Sequence, residues 1–287
     1  GEHEKAMRNF TACAYNGLSV QEQQRYNLRM GYLHFSANHY GEAYAYFDRI
    51  DPKSEVADHA TYYRAYIDYA RGDNEKAKRQ FQALQSSSAY GELAPYYLLQ
   101  IEFREGNYRY VVEHGPQLAE RAATERRAEL ERVVAESWFR LDDYRNTLQH
   151  IEQYAAYGGR MGRDEHYLKG FSLYRLARYT DAVEGLRGAC GPEDALTQNA
   201  SYHLADCYLR LGDKKQARQS FSMAYSSGDN KTICEDALYN YCKLQVEQGG
   251  GNFNEEIQSL SHYLREYPRS AHRGEVEGYL QSVFEVE

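Results

Sequence analysis

A small or apolar residue recurs at nearly constant spacing along this chain, and no other feature limits its fold as strongly. Ala43, Ala77, Val111, Thr147, Ala182, Ala217 and Ile257 stand 34, 34, 36, 35, 35 and 40 residues apart. Most copies share a frame in which an apolar residue follows four positions later. "NHYGEAYAYF" gives Ala43 and Phe47, "GDNEKAKRQF" Ala77 and Phe81, and "DDYRNTLQHI" Thr147 and Ile151. "ARYTDAVEGL" gives Ala182 and Leu186, and "GDKKQARQSF" Ala217 and Phe221. "GNYRYVVEHG" places Val111 at the small position, and "NFNEEIQSLS" is a looser copy after Gly249, Gly250 and Gly251. Residues four apart share one face of a helix. Each pair therefore predicts a helix with a small contact point and a plug one turn on. Gly31, Ala65, Ala135, Gly170 and Ala205 stand seven residues before the turns and predict a preceding helix that another can approach closely. A unit of this kind cannot bury its apolar stripe alone, so neighbours must stack.

Arg71-Gly72-Asp73 falls at one of these turns, where other copies read Glu105-Gly106-Asn107, Leu141-Asp142-Asp143 and Leu211-Gly212-Asp213. Gly72 suits a helix end that needs positive φ, and Asp73 suits the start of the next helix. The tripeptide is repeat punctuation rather than an adhesion motif. A two-helix unit of this period, with a Gly/Asp/Asn-Tyr turn followed by A-x-x-x-F, resembles the tetratricopeptide repeat (TPR) family over nearly the whole length. The resemblance implies an all-α, right-handed superhelical solenoid of antiparallel helix pairs. We expect one solenoid over residues 1–287, with about seven repeats in 20–268.

The ends follow the same frame. "EKAMRNFTAC" carries Ala6, Phe10 and Cys13 with the spacing of Ala43, Phe47 and Ile50, so residues 2–16 read as the second helix of a truncated repeat. A frame that starts mid-repeat predicts a longer parent array. Ser19-Val20-Gln21-Glu22 reads as a capping box opening the next helix. Pro268 stops the helix of the seventh repeat, and residues 270–287 read as a terminal helix ending in Val283, Phe284 and Val286.

Composition narrows the function. A net charge of −8 has the wrong sign for a nucleic-acid binder, and no apolar run approaches the ~20 residues of a membrane span. Five cysteines (Cys13, Cys190, Cys207, Cys234, Cys242) lack CxxC spacing and argue against a disulfide framework or a structural zinc site. The chain has ten histidines without an i, i+4 pair, and no nucleotide, metalloprotease or hydrolase motif. We therefore expect no catalytic residue, metal site or cofactor. Twenty-nine tyrosines against one tryptophan is the unusual feature. Trp138 falls at a packing position beside Phe139.

By the resemblance, the first helix of each repeat lines a concave groove. That mapping places Tyr32, Phe35, Tyr62, Tyr66, Tyr69, Tyr96 and Phe103 on the inner wall, followed by Phe139, Tyr167, Phe171, Tyr174, Tyr202 and Tyr241. Arg104, Arg140, Arg175 and Arg210 each stand two residues before a turn and would form a basic ladder beside the rings. The functional reading is a groove for a peptide or protein of acidic character, held by Arg–carboxylate pairs and ring contacts. The structural alternative is that basic residues favour helix C-termini and the tyrosines pack between helices. Chaperone-tail binders of the family clamp a carboxylate with asparagine and lysine at fixed inner positions. Here those positions read Leu28, Tyr62, Tyr96, Arg132, Tyr167 and Tyr202, or Tyr32, Tyr66, Gln100, Glu136, Phe171 and Asp206. That clamp is absent. Arg64 and Asp68 are spaced at i, i+4 to pair with each other.

We expect a non-enzymatic scaffold that presents this groove to a protein or peptide; the spacing leaves its oligomeric state open. A spacer contacted through its ends and a glycan binder are the alternatives. "FNEEIQSLSHYLREYPRS" resembles repeats of envelope-associated bacterial TPR proteins, which implies a periplasmic or outer-membrane-associated setting in a Gram-negative bacterium. Unpaired cysteines favour the cytoplasm instead.

Overall fold

The computed structural model describes residues 2–11, 15–249 and 252–285. Cys13, Gly250, Gly251 and Val286 lie outside the described residues, as does the side chain of Phe10. The described chain is helical, without strands, and divides into two compact units between Leu118 and Ala119.

Unit 1 contains α1 (Glu2–Thr11), α2 (Val20–Ser36), α3 (Tyr40–Phe47), α4 (Ala57–Arg71), α5 (Asn74–Ala83) and α6 (Ala94–Arg104). Helix α7 (Tyr108–Arg121) crosses the division. Unit 2 continues with α8 (Thr124–Arg140), α9 (Tyr144–Ala156), α10 (Arg163–Arg175), α11 (Tyr179–Ala189) and α12 (Ala195–Arg210). It ends with α13 (Lys214–Ser226), α14 (Lys231–Gln248), α15 (Phe253–Glu266) and α16 (Arg273–Glu285). Consecutive helices pack on each other from α1 to α6 and from α8 to α16, in solenoid fashion. In unit 2 the first helices of neighbouring repeats also touch, α8 with α10, α10 with α12, α12 with α14 and α14 with α16.

One local device repeats at the turns. Asn38, Gly72, Gly106, Asp142, Ala177 and Gly212 all adopt positive φ, between 57° and 82°. This left-handed residue ends the first helix and reverses the chain. An Asp then caps the next helix in several repeats: Asp73, Asp143 and Asp213 accept from the backbone N–H of Lys76, Asn146 and Gln216 at 3.3, 3.0 and 3.0 Å. Asp73 also pairs with Lys76 Nζ at 2.7 Å, so the Arg-Gly-Asp stretch serves its own turn. The Ser19–Glu22 capping box forms in both directions, at 2.8 and 3.3 Å.

The frame read from the sequence is the core. Ala43, Phe47, Ala77, Phe81, Val111, Ile151, Ala182, Leu186 and Ala217 are 0% exposed. Gly170 and Gly185 bring α10 and α11 into backbone contact, where a Cβ on Gly185 would lie 2.7 Å from Gly170 Cα. Trp138 is half-buried.

Two expectations are corrected. In the last full repeat Asn252 caps α15, accepting from Asn254 N at 3.1 Å. Counting from that cap places Glu256 at the small position and Leu260 at the plug. Leu260 is accordingly 0% exposed while Ile257 is only half-buried, so the frame of this repeat sits one residue earlier than its spacing predicts. Arg64 and Asp68 do not pair. Asp68 is buried and accepts from Gln80 Nε2 at 2.6 Å and from the Tyr44 hydroxyl at 3.3 Å. Arg64 Nη1 instead donates to Asp48 Oδ1 at 3.0 Å. The carboxylate faces two second helices, which supply neutral donors where it is buried, while the guanidinium reaches the exposed end of α3.

Candidate protein-binding site

In unit 1 the expected rings gather around one that the sequence reading passed over, Tyr97. Tyr66, Tyr69 and Tyr96 lie 6.0, 5.5 and 5.3 Å from it between centroids, all edge-to-face. Phe81 stacks on it at 4.7 Å. Edge-to-face and offset pairs at these separations are favourable beyond area burial. Tyr97 and Tyr62 share a hydrogen bond between hydroxyls at 3.3 Å, and burial pushes the Tyr97 phenol far above its ordinary range. Phe103 sits at the end of α6 and meets Tyr108 at 5.9 Å. The sequence signal for Tyr97 was its place one residue beyond Tyr96, on the flank of the helix that turns toward Phe81.

In unit 2 Phe139, Tyr167, Phe171, Tyr174 and Tyr202 also come together, linked by Tyr144 and His203. Phe171 is the hub: Phe139 lies at 5.6 Å, Tyr167 stacks at 5.5 Å, Tyr174 lies at 5.9 Å and His203 at 4.8 Å. His203 carries the contact on to Tyr174 and Tyr202, at 4.9 and 5.6 Å. None of the five is fully buried and none is fully exposed. Their polar atoms are partly committed. Tyr174 donates to Asp206 Oδ2 at 2.9 Å and Tyr202 to Asp236 Oδ2 at 2.5 Å, each acceptor lying on the next first helix. Tyr239 repeats the arrangement one helix later, donating to Glu275 at 2.7 Å. Burial, then the bond to Asp206, pushes the Tyr174 phenol up to about 12, and burial does the same for Tyr167. Burial also drives the His203 imidazole down to about 4, against the opposing pull of Asp206. Its Nδ1 has no hydrogen-bond partner among the described residues.

The four arginines keep exposed heads but are engaged within the chain. Arg104 lies over the Tyr69 ring at 4.1 Å and donates to the Tyr69 carbonyl at 2.9 Å and to Asn74 Oδ1 at 3.2 Å. Arg175 lies over Tyr144 at 4.7 Å and donates to its hydroxyl at 2.9 Å. Arg210 lies 5.6 Å from the Tyr179 ring and 3.5 Å from Asp206. Arg140 is held on its own helix by Glu136 at 3.2 Å. Three of the four thus clasp the preceding repeat, so they join repeats whatever else they bind.

Among the described residues no group of three or more His, Cys, Asp or Glu could hold a metal ion, and no helix is long and apolar enough to cross a membrane. Cys207, Cys234 and Cys242 are buried free thiols, and Cys190 is a half-buried one.

Helix pairs joined by a left-handed turn, with a ring-rich face on the first helices, define a solenoid of two-helix repeats. Residues 199–226, spanning α12 and α13, match the tetratricopeptide-repeat family model. No curated protein matches the sequence. Among solved structures, the chain is similar to the C-terminal part of a TPR repeat-containing protein from Cytophaga hutchinsonii. That likeness has a TM-score of 0.60 and 13% identity, covering 87% of this chain and 98% of that one. It is also similar to a signal-transduction ATPase of the STAND class, with a tetratricopeptide-repeat sensor, from Pyrococcus horikoshii. There the TM-score is 0.53 at 13% identity, over 92% of this chain and 45% of that one. At such identities the likeness is one of fold. One repeat thus matches the tetratricopeptide-repeat family model, and the chain around it shares the fold of solved tetratricopeptide-repeat structures. Such folds generally mediate protein–protein interaction and are typically not enzymes.

Proposed function

We propose that the chain is a non-enzymatic scaffold whose first-helix faces receive a protein or peptide partner. The observation that carries this reading is the unit 2 ring cluster: Phe139, Tyr167, Phe171, Tyr174 and Tyr202 converge on one face yet remain partly open to solvent. Aromatic surface held together and left accessible is the usual makeup of an interface core. The exposed heads of Arg140 and Arg175 beside it favour a partner with acidic groups. In unit 1 we propose Tyr66, Tyr69, Tyr96, Phe103 and Arg104 as the corresponding face. For setting we propose a bacterial cell envelope, periplasmic or outer-membrane-associated, on the resemblance of the α15 segment alone; this is an analogy of sequence.

A second reading is favoured by the clasps of Arg104, Arg175 and Arg210: a spacer whose repeats are locked together and whose partners attach elsewhere. One experiment separates the two. Affinity capture from native cells with the intact chain, followed by mass spectrometry, identifies partners. Capture is then repeated with Arg140→Glu plus Tyr167→Ala, a pair that spares the clasps. Loss of a partner at unchanged helical circular dichroism supports the binding face; undiminished capture supports the spacer.

A further inference from the structure

A cavity in unit 2 lies apart from the ring cluster. It opens between α9, α10 and α11, encloses about 500 Å³, and uses His166, Lys169 and Leu173 of α10. These occupy a different helical face from Tyr167, Phe171 and Tyr174. Its origin is the Gly170–Gly185 contact, which draws α11 onto α10. Helix α9 packs on α8 and α10 with no comparable packing to α11, so a slot is left between the two second helices. Its volume falls within the range of small-molecule sites.

The lining has a specific chemistry. Ile151 and Leu173 are buried and, with Met161, give an apolar base. Arg178 and Asp181 form one lip and are already paired, at 2.8 Å. Three further charges line the same slot: Lys169, Glu152 and Glu184. Among the described residues none of the three has an ion-pair partner, although Lys169 is half-buried and opposite charges border the same space. The slot keeps them apart. Lys169 is the unpaired cation of the lining among the described residues, and a ligand bearing both signs would complete both pairings.

We propose that this slot binds a small zwitterion with an apolar body, namely a free aliphatic or aromatic amino acid or a short dipeptide. Its carboxylate meets Lys169, its ammonium meets Glu152 and Glu184, and its side chain lies on Ile151, Met161 and Leu173. A binding site of this kind stands independently of partner capture by the ring-bearing face.

Isothermal titration calorimetry of the full chain with leucine, phenylalanine and leucyl-leucine tests it. N-acetyl-leucine and leucinamide, each lacking one charge, serve as probes of the two pairings. We expect saturable binding of at least one zwitterion and a loss of about tenfold or more for both single-charge analogues. Lys169→Met should abolish the advantage of leucine over leucinamide, whereas Lys169→Arg retains it; Glu184→Gln should reduce the advantage of leucine over N-acetyl-leucine. A thermal melt confirms that each variant folds. No saturable binding of any zwitterion at millimolar concentration, or equal binding to the parent and Lys169→Met, would overturn the assignment.

Discussion

Arg175 reaches back one repeat to Tyr144, donating to the phenol oxygen at 2.9 Å with its guanidinium 4.7 Å from the ring centroid. The same phenol donates to Asp142 Oδ1 at 2.6 Å, at the left-handed turn that begins α9. One arginine therefore ties the end of one first helix to the turn of the preceding repeat.

Arg175→Ala should destabilise unit 2 by about 1–2 kcal/mol, from a charged hydrogen bond and a cation–π contact that are both weakened by the exposure of the guanidinium. Arg140→Ala, which loses a solvent-exposed i, i+4 pair, should cost below about 0.5 kcal/mol. Urea denaturation of the two variants measures the difference, and equal effects would reject the clasp.

Phe81→Ala removes a fully buried ring stacked on Tyr97. The cost should be about 3–5 kcal/mol. A melt indistinguishable from the parent would show that the plug position is misassigned.

The corrected frame of the last full repeat is testable in the same way. Leu260→Ala should cost about 2–5 kcal/mol, and Ile257→Ala, at a half-buried site, clearly less. The reverse order would restore the original alignment.

Ala177 holds φ at +57° with a Cβ. An L-residue in that region costs roughly 1 kcal/mol relative to glycine. Ala177→Gly should therefore raise stability by up to about 1 kcal/mol. A decrease on chemical denaturation would show that the methyl group contributes packing that outweighs the strain.

His203 gives a pH dependence of defined sign. Its imidazole is held near 4 in the folded chain against an ordinary 6.5, because burial disfavours the cation. Between these values the unfolded chain binds more protons than the folded one, so stability rises with pH. The contribution is complete above about pH 6.5 and is lost as pH falls toward about 4, on the order of 3 kcal/mol. His203→Phe should flatten that part of the stability profile between pH 7 and pH 4.5; an unchanged slope in the variant would place the protonation elsewhere.

The repeat period and the turn chemistry were legible because both are local. Ala77 with Phe81, the Asp73 cap and the glycine at Gly72 each require only a few residues of sequence to recognise. Where the chain departs from the common spacing, the reading slipped. The insertion at Gly249–Gly251 moved the cap to Asn252 and displaced the frame by one. The fate of Asp68 was hidden because its partners, Tyr44 and Gln80, come from two other helices. Tyr97 and His203 were missed for the same reason: a ring's neighbours across the stack depend on how far each helix rotates about its axis, which a one-dimensional pattern does not encode. The regular spacing of Arg104, Arg140, Arg175 and Arg210 was legible in the sequence. The attachment of Arg104, Arg175 and Arg210 to the repeat behind became visible only with side chains in place.

The phenol–carboxylate bonds of unit 2 carry a further consequence. Tyr174, Tyr202 and Tyr239 each find their acceptor one repeat ahead, so donor and acceptor never belong to the same hairpin. Excising α12 and α13 would leave Tyr174 without Asp206 and Asp236 without Tyr202, both at the one junction where the shortened stack must rejoin. The modules look interchangeable by length, yet each is addressed to its own successor, and shuffling them would leave these contacts without a match.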